Sequence, residues 1–399
     1  MTATRPGRTL PRVPTNLRQY GILAALAVIV ILFQILTNGR LLLPGNINNL
    51  IQQNAYVLIL AVGMVVVIIA GHIDLSVGSV VAMVGAISAI SMTQWGFPWW
   101  AAVILALGVG ALVGAWQGFW VAFVGIPAFI VTLAGMLLFR GLTLVLLTGG
   151  TINALPAEFN AIGGGWLPGL LGSVGEGRGS RDILTVVIGV MAASLLVGQQ
   201  LLARRKQRKL ELVTEGSLSF WVKISIAAVA VLALTWQLSA YRGTPVILAI
   251  VAVLILLFTF VLNRTVFGRN VYAIGGNLFA AQMSGVKTSW VNFFIFVNMG
   301  ALAGLAGVVT TARAGGAVAS AGQSFELDAI AAVFIGGAAV TGGVGTVIGA
   351  VVGALIMGIL NMGLSILSVD AAWQQAIKGL VLLLAVAFDV LSKRRSGGR

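Results

Sequence analysis

Arg264-Thr-Val-Phe-Gly-Arg-Asn-Val-Tyr-Ala-Ile-Gly-Gly-Asn-Leu-Phe-Ala-Ala-Gln-Met-Ser-Gly-Val-Lys287 lies between two long apolar segments, the second half's one long polar interruption with several cations. Translocation across a membrane disfavours cationic loops, so Arg264, Arg269 and Lys287 assign this stretch to the cytoplasm. Asn277 predicts the cap of a short helix running from Leu278 to about Ser284, and Gly285 predicts its end in the left-handed conformation. Two helical turns span roughly 10 Å. That is too short for a domain and about right for a peg seated in another protein's groove. An ordinary polar loop between two membrane helices is the competing reading.

The rest of the chain explains why such a loop stands out. Of 399 residues, 59% are hydrophobic and only 9% charged, with a mean hydropathy of +1.05. A soluble domain carries roughly 25% charged residues, so most of this chain faces lipid or other helices. The net charge of +14 raises the possibility of a nucleic-acid partner. The cations instead gather at Arg5/Arg8/Arg12/Arg18, Arg204/Arg205/Lys206/Arg208/Lys209, Arg264/Arg269 and Lys393/Arg394/Arg395, between apolar runs. Membrane topology accounts for that placement, and no nucleic acid is expected. There is no cysteine and one histidine, His72, which excludes a disulfide framework and a thiolate or histidine metal cluster.

A helix needs about 20 mostly apolar residues to cross a bilayer. On that rule the spans fall at 20–37, 50–70, 76–94, 99–123, 127–148 and 182–203, then 218–238, 244–263, 289–310, 326–345, 346–367 and 373–391. The expectation is an all-α polytopic membrane protein of about twelve helices in a single domain, 1–399, with 1–19 as a cytoplasmic tail. With the basic N-terminus inside, the sixth, eighth and twelfth spans all arrive at cytoplasmic basic residues, and both termini are cytoplasmic. The glycine-rich segment 149–181, with Glu158 and Glu176 in it and Asp182 just after it, becomes the largest external loop.

The halves echo each other. Gly110-Ala-Leu-Val-Gly-Ala parallels Gly349-Ala-Val-Val-Gly-Ala, and Ile73-Asp74-Leu75 parallels Leu327-Asp328-Ala329. The two aspartates open spans of opposite direction, the pattern of inverted repeats that place a transport path at their interface. Glycines at four-residue spacing, Gly110/Gly114/Gly118 and Gly300/Gly304, predict close helix packing. The run Phe334-Ile-Gly-Gly-Ala-Ala-Val-Thr-Gly-Gly-Val-Gly-Thr346 predicts either a broken helix or a tight turn between spans.

No lysine follows a glycine, so the phosphate loop of common ATPases is absent, and neither G-x-S-x-G nor H-E-x-x-H occurs. His72 and Asp74 could form a proton relay, though a helix-capping Asp74 is the simpler reading. Arg140 and Lys378 are the main charges within spans, and Arg140 marks a break in its helix or snorkels outward. The other polar residues inside the bundle are mostly neutral. Asp74, Ser76, Gln117, Asn298 and Asn361 are the candidate lining of a translocation path, and amides serve solute hydroxyls and interhelical hydrogen bonds equally well. No residue is assigned a catalytic role and no cofactor is expected.

Four stretches resemble the permeases of ABC importers for ribose, xylose and galactose. They are Gly71-His-Ile-Asp-Leu-Ser-Val-Gly-Ser79, Gly125-Ile-Pro-Ala-Phe-Ile-Val-Thr-Leu-Ala-Gly135, Phe139-Arg-Gly-Leu-Thr143 and the loop from Phe267-Gly-Arg to Ser284-Gly-Val286. Ala280, Ala281 and Gly285 match the A-A-x-x-x-G core of the importers' coupling motif, with Phe279 where the motif has glutamate. An insertion at about 165–240 makes the chain more similar to the xylose-type or multiple-sugar permeases. The resemblance implies an inverted-repeat permease fold in a bacterial plasma (inner) membrane, surrounded by lipid. It implies a second permease copy in a homodimer, a cytosolic ABC ATPase subunit and an extracytoplasmic sugar-binding protein. The coupling residues it points to are Gly268, Arg269, Asn277, Ala280, Ala281, Ser284 and Gly285. A stand-alone secondary carrier, which would transport without ATP, and a membrane enzyme built on His72 and Asp74 are the rival readings.

Overall fold

The structure, a computed structural model, describes residues 17–148, 150–175, 180–210 and 216–396. The basic positions Arg5, Arg8 and Arg12, together with Glu176 and Arg178, lie outside the described residues.

The chain opens with α1 (Leu17–Leu36), α2 (Pro44–Gln53) and α3 (Ala55–Ile69), followed by α4 (Val77–Thr93) and α5 (Trp99–Phe119), which runs into a wider turn over Trp120–Val124. Then come α6 (Ala128–Leu147), strand β1 (Thr151–Asn153), α7 (Ala157–Gly164) and the short strands β2 (Ser173–Val174) and β3 (Arg181–Asp182). Next are α8 (Ile183–Lys209), α9 (Ser217–Ser239), α10 (Val246–Arg264), α11 (Val266–Gly276), α12 (Leu278–Met283) and α13 (Thr288–Ala314). The chain ends with β4 (Gly316–Val318), α14 (Phe325–Ile335), α15 (Val347–Ile366) and α16 (Ala371–Ser396).

Proline sets many of the starts. Pro44 is the first residue of α2, and Pro98, Pro127, Pro156 and Pro245 immediately precede α5, α6, α7 and α10. There the missing N–H would have had no intrahelical partner anyway. Among the described residues, seven helices are long and apolar enough to cross a membrane: α5, α6, α8, α9, α10, α13 and α15. They become eight if α2 and α3, bent by 44° at their junction, count as one span.

The tenth expected span does not form as drawn. Residues 326–345 give α14, of 11 residues, and then a glycine-rich loop. A helix of that length covers about 16 Å, roughly half the hydrocarbon thickness. Glycines 336, 337, 342 and 343 stop it, three of them with positive φ, and Thr346 restarts the chain by capping α15 at Gly349 N, 3.0 Å away.

At the centre stands α3, in which every residue except Tyr56 is buried. A helix apolar all round belongs inside a bundle, and α10, α13, α14 and α15 surround it. α5 and α13 approach backbone to backbone at Gly110, Gly114, Gly300 and Gly304, where an added Cβ would strike the facing main chain. That is close packing through small residues, as the spacing predicts. The described parts of the segment 149–181 are more built than a loop. β1 pairs antiparallel with β4, Thr151 opposite Val318, and α7 buries Phe159 completely against the bundle. The α8–α9 hairpin lies apart, with α8 packed on α9 and α9 on α2.

Candidate translocation path and coupling loop

The loop that interrupts the second half folds as two short helices. Thr265 accepts from Gly268 N at 3.2 Å to cap α11, which turns Gly268, Val271 and Ile274 inward and leaves Arg269 exposed. Asn277 Oδ1 accepts from Ala280 N at 2.9 Å and so caps α12. The end is closed by Gly285 N to Gln282 O at 3.0 Å and Val286 N to Ala281 O at 3.1 Å, with Gly285 at φ +81°. Ser284 Oγ donates to Ala280 O at 2.9 Å.

The two alanines differ in setting. Ala280 is exposed while Ala281 is buried at 4%. Ala281 therefore packs on this chain and does not lie on an outward surface. A helix of six residues must hold itself to the body of the protein by something, and here buried Ala281 and a hydrogen bond from Gln282 Nε2 to Thr288 Oγ1 at 3.4 Å contribute. The outward face is apolar: Leu278, Phe279 and Met283 are exposed, the last two by 69% and 71%.

α11 also meets the end of α3. Gly275 has no room for a Cβ, because Ile69 O and Gly343 N occupy that space, and Gly343 N itself donates to Ile69 O at 2.8 Å. Tyr272 OH donates to Gly345 O at 2.8 Å. The glycine run after α14, the end of α3 and the cytoplasm-assigned loop thus converge at one place, five residues before Asp74.

Asp74, Ser76 and Gln117 are buried together. Asp74 Oδ1 accepts from Ser76 N at 2.8 Å and from Ser76 Oγ at 2.7 Å, and Gln117 Nε2 donates to Ser76 Oγ at 2.7 Å. This ties α5 to the loop ahead of α4. Asp74 turns to Ser76, and the His72 ring lies 5.8 Å from that of Phe296. Asn361 Nδ2 donates to Asn54 Oδ1 at 3.1 Å, away from the Asp74 cluster. Asn298 Nδ2, on α13, is buried without a partner. Of the expected path residues, Gln117 and Asn361 make interhelical hydrogen bonds.

Arg140 sits in an unbroken α6 and donates to Ala319 O at 3.1 Å and Ala321 O at 2.7 Å, so it reaches the loop after β4 and marks no break. A second polar centre escaped the sequence reading as a unit. Asp328 Oδ2 accepts from Tyr56 OH at 2.7 Å and from Lys378 Nζ at 3.2 Å. Asp328 and Lys378 are an acid and a base within apolar segments, and the need of each for a partner is the signal that would have paired them.

A helical bundle that crosses the membrane several times, with amides and an ion pair in its interior, is the architecture of a transport subunit. The chain belongs to the family described as branched-chain amino acid transport system / permease component, which matches residues 46–172 and 178–386. It is an ABC-type permease, a transport subunit and not an enzyme. It is 41% identical over 380 residues to the Haemophilus influenzae protein named xylose transport system permease protein XylH, covering 95% of this chain and 98% of that one. To the Escherichia coli K12 protein of the same name it is 39% identical, covering 99% and 100%. To the ribose import permease protein RbsC of Escherichia coli K12 it is 32% identical, covering 97% and 98%. No solved structure matches the chain.

Proposed function

We propose that this chain is the membrane-spanning subunit of an ATP-driven pentose importer, with xylose as the sugar. The full-length similarity to two permeases named for xylose carries that choice over ribose, whose namesake is less similar. The chain works as one transmembrane domain with about twelve membrane passages, some through short or bent helices, and with both termini in the cytoplasm of a bacterial plasma membrane. Two copies form the transport unit, an extracytoplasmic sugar-binding protein delivers the pentose, and a cytosolic ABC ATPase drives release. The halves act as inverted repeats around Asp74 and Asp328.

The 264–287 loop is the contact with the ATPase. Gly268 and Gly285 shape it, Asn277 and Ser284 hold α12, and Ala281 anchors it. Ala280, Arg269 and the apolar Leu278, Phe279 and Met283 face the partner. The exposed apolar face of a capped helix supports this role, since none of the described residues covers it. Asp74, Ser76 and Gln117 hold the start of α4 against α5 next to the path, Asn298 offers it an amide, and Asn361 steadies the bend at Asn54. Nucleotide binding shifts the permease between states only through contacts that differ between them. The convergence at Gly275, Ile69 and Gly343 is where such a difference reaches the bundle.

Co-expressing the chain with the ATPase and binding protein, and measuring labelled xylose uptake into vesicles with and without ATP, tests the reading. Uptake that requires both partners and ATP is expected. Concentrative uptake by the permease alone would make it a secondary carrier.

A further inference from the structure

Between α14, α15 and α16 lies a cavity of about 110 Å³, whose lining includes Ser324, Asp328, Met357, Gln375, Lys378 and Leu382. Asp328 is 2% exposed. Its Oδ2 is occupied by Tyr56 and Lys378, while its Oδ1 is buried with no partner. A buried acceptor left open in an apolar bundle is unfavourable, and native proteins seldom keep one without use. Lys378 has three N–H donors, one of them directed at Asp328.

The charges constrain what can enter. An anion would meet the Asp328 carboxylate and a cation the Lys378 ammonium. A neutral solute that donates and accepts hydrogen bonds from adjacent atoms meets neither obstacle, and that describes a pair of neighbouring hydroxyls. Pockets for drug-sized ligands run from roughly 300 to 1,000 Å³, so this space suits one edge of a small solute. We propose that the cavity is a monosaccharide subsite in which one hydroxyl accepts from Lys378 Nζ and its neighbour donates to the Asp328 carboxylate. Met357 and Leu382 cover the C–H edge of the ring. The site rests on the sugar-import reading and adds to it a place within the permease where the sugar is held.

The test uses the full chain in lipid nanodiscs and saturation-transfer NMR, with D-xylose as the probe and its fully O-methylated ether as the control. The wild type should give a saturable xylose signal that the ether lacks. Leu382→Trp fills the cavity from α16 without touching the ion pair, and Asp328→Asn removes the carboxylate. Each should weaken xylose binding at least tenfold. Unchanged binding in Leu382→Trp overturns the subsite, as does the absence of saturable binding to the wild type. Leu382→Trp decides the matter even if Asp328→Asn does not accumulate. ATP-driven uptake by the complete wild-type system is scored separately. If uptake occurs and Leu382→Trp binds normally, the subsite falls and the importer stands. If no ATP-dependent pentose uptake occurs, the importer reading falls.

Discussion

Asn361 Nδ2 donates to Asn54 Oδ1 at 3.1 Å, joining residues 307 positions apart at the point where α2 bends into α3. Asn54 Nδ2 meanwhile donates to Leu50 O at 3.0 Å, one of the carbonyls at the end of α2. The pair supports the bend from outside, because the break leaves main-chain groups without their usual helical partners. Hydrogen bonds between membrane helices contribute on average about 0.6 kcal/mol and at most about 1.7.

Asn361→Ala should therefore lower stability by about 0.5–1.5 kcal/mol, read as a fall in melting temperature of the purified protein. Asn54→Ala should cost more, because it also removes the side-chain donor to Leu50 O and leaves that carbonyl with the Asn54 N–H alone. The double variant should be less destabilised than the sum of the two. Additive losses would show that the two side chains do not act on each other.

Gln117→Leu removes the donor to Ser76 Oγ and should loosen the tie between α5 and the loop ahead of α4. A loss of about 1–2 kcal/mol is expected for a buried network that loses one member. Xylose uptake should fall more steeply than the amount of protein in the membrane. Quantitative blotting beside uptake separates these effects, and parallel losses would reduce Gln117 to a packing residue.

At the coupling loop, the burial of Ala281 sharpens what each substitution tests. Gly285→Val places a β-branched residue at φ +81° and should cost on the order of 1–2 kcal/mol or more. Ala281→Glu should detach α12 from its own chain. Ala280→Glu and Phe279→Ala alter only the outward face, so they should leave the melting temperature unchanged while reducing retention of the ATPase on membranes. Full retention by both surface variants would reassign α12 as an ordinary connecting loop.

The α8–α9 hairpin packs on the bundle chiefly through α9 and α2. Removing 182–238 deletes two membrane-crossing helices and keeps the direction of all that follow. Reporters active only outside the cytoplasm should be silent at both termini, in the intact and the shortened chain alike. Uptake by the shortened chain should stay within severalfold of the wild type. A signal from one terminus alone would mean an odd number of passages.

The local elements were the readable ones. Asn277 and Gly285 act through a hydrogen bond and a backbone angle spanning only a few residues, so their effect is written in the neighbouring sequence. The close approach of α5 and α13 was readable for a similar reason, since glycines four apart leave a groove whatever fills it. The span 326–345 follows apolar composition past the glycine run, and that run, which predicts a broken helix or a tight turn, ends α14 at Ile335. Which way Ala281 faces was hidden: six residues give too little periodicity to set a buried side. The Asp328–Lys378 pair and the destinations of Arg140 and Asn361 depend on helices brought together from 50 to 307 positions away. No spacing rule reaches that far.

Where Gly275 rests on Ile69 and Gly343, main chain touches main chain with no side chains between them. Side chains in most interfaces act as cushions, changing rotamer to absorb a small shift before the backbone responds. This contact has no cushion. A displacement of α11 by a fraction of an ångström has to be taken up by the end of α3 and the glycine run together, or the hydrogen bond from Gly343 to Ile69 breaks. The joint is therefore stiff under compression and brittle under tension, so a push from the cytoplasmic side passes inward more faithfully than a pull.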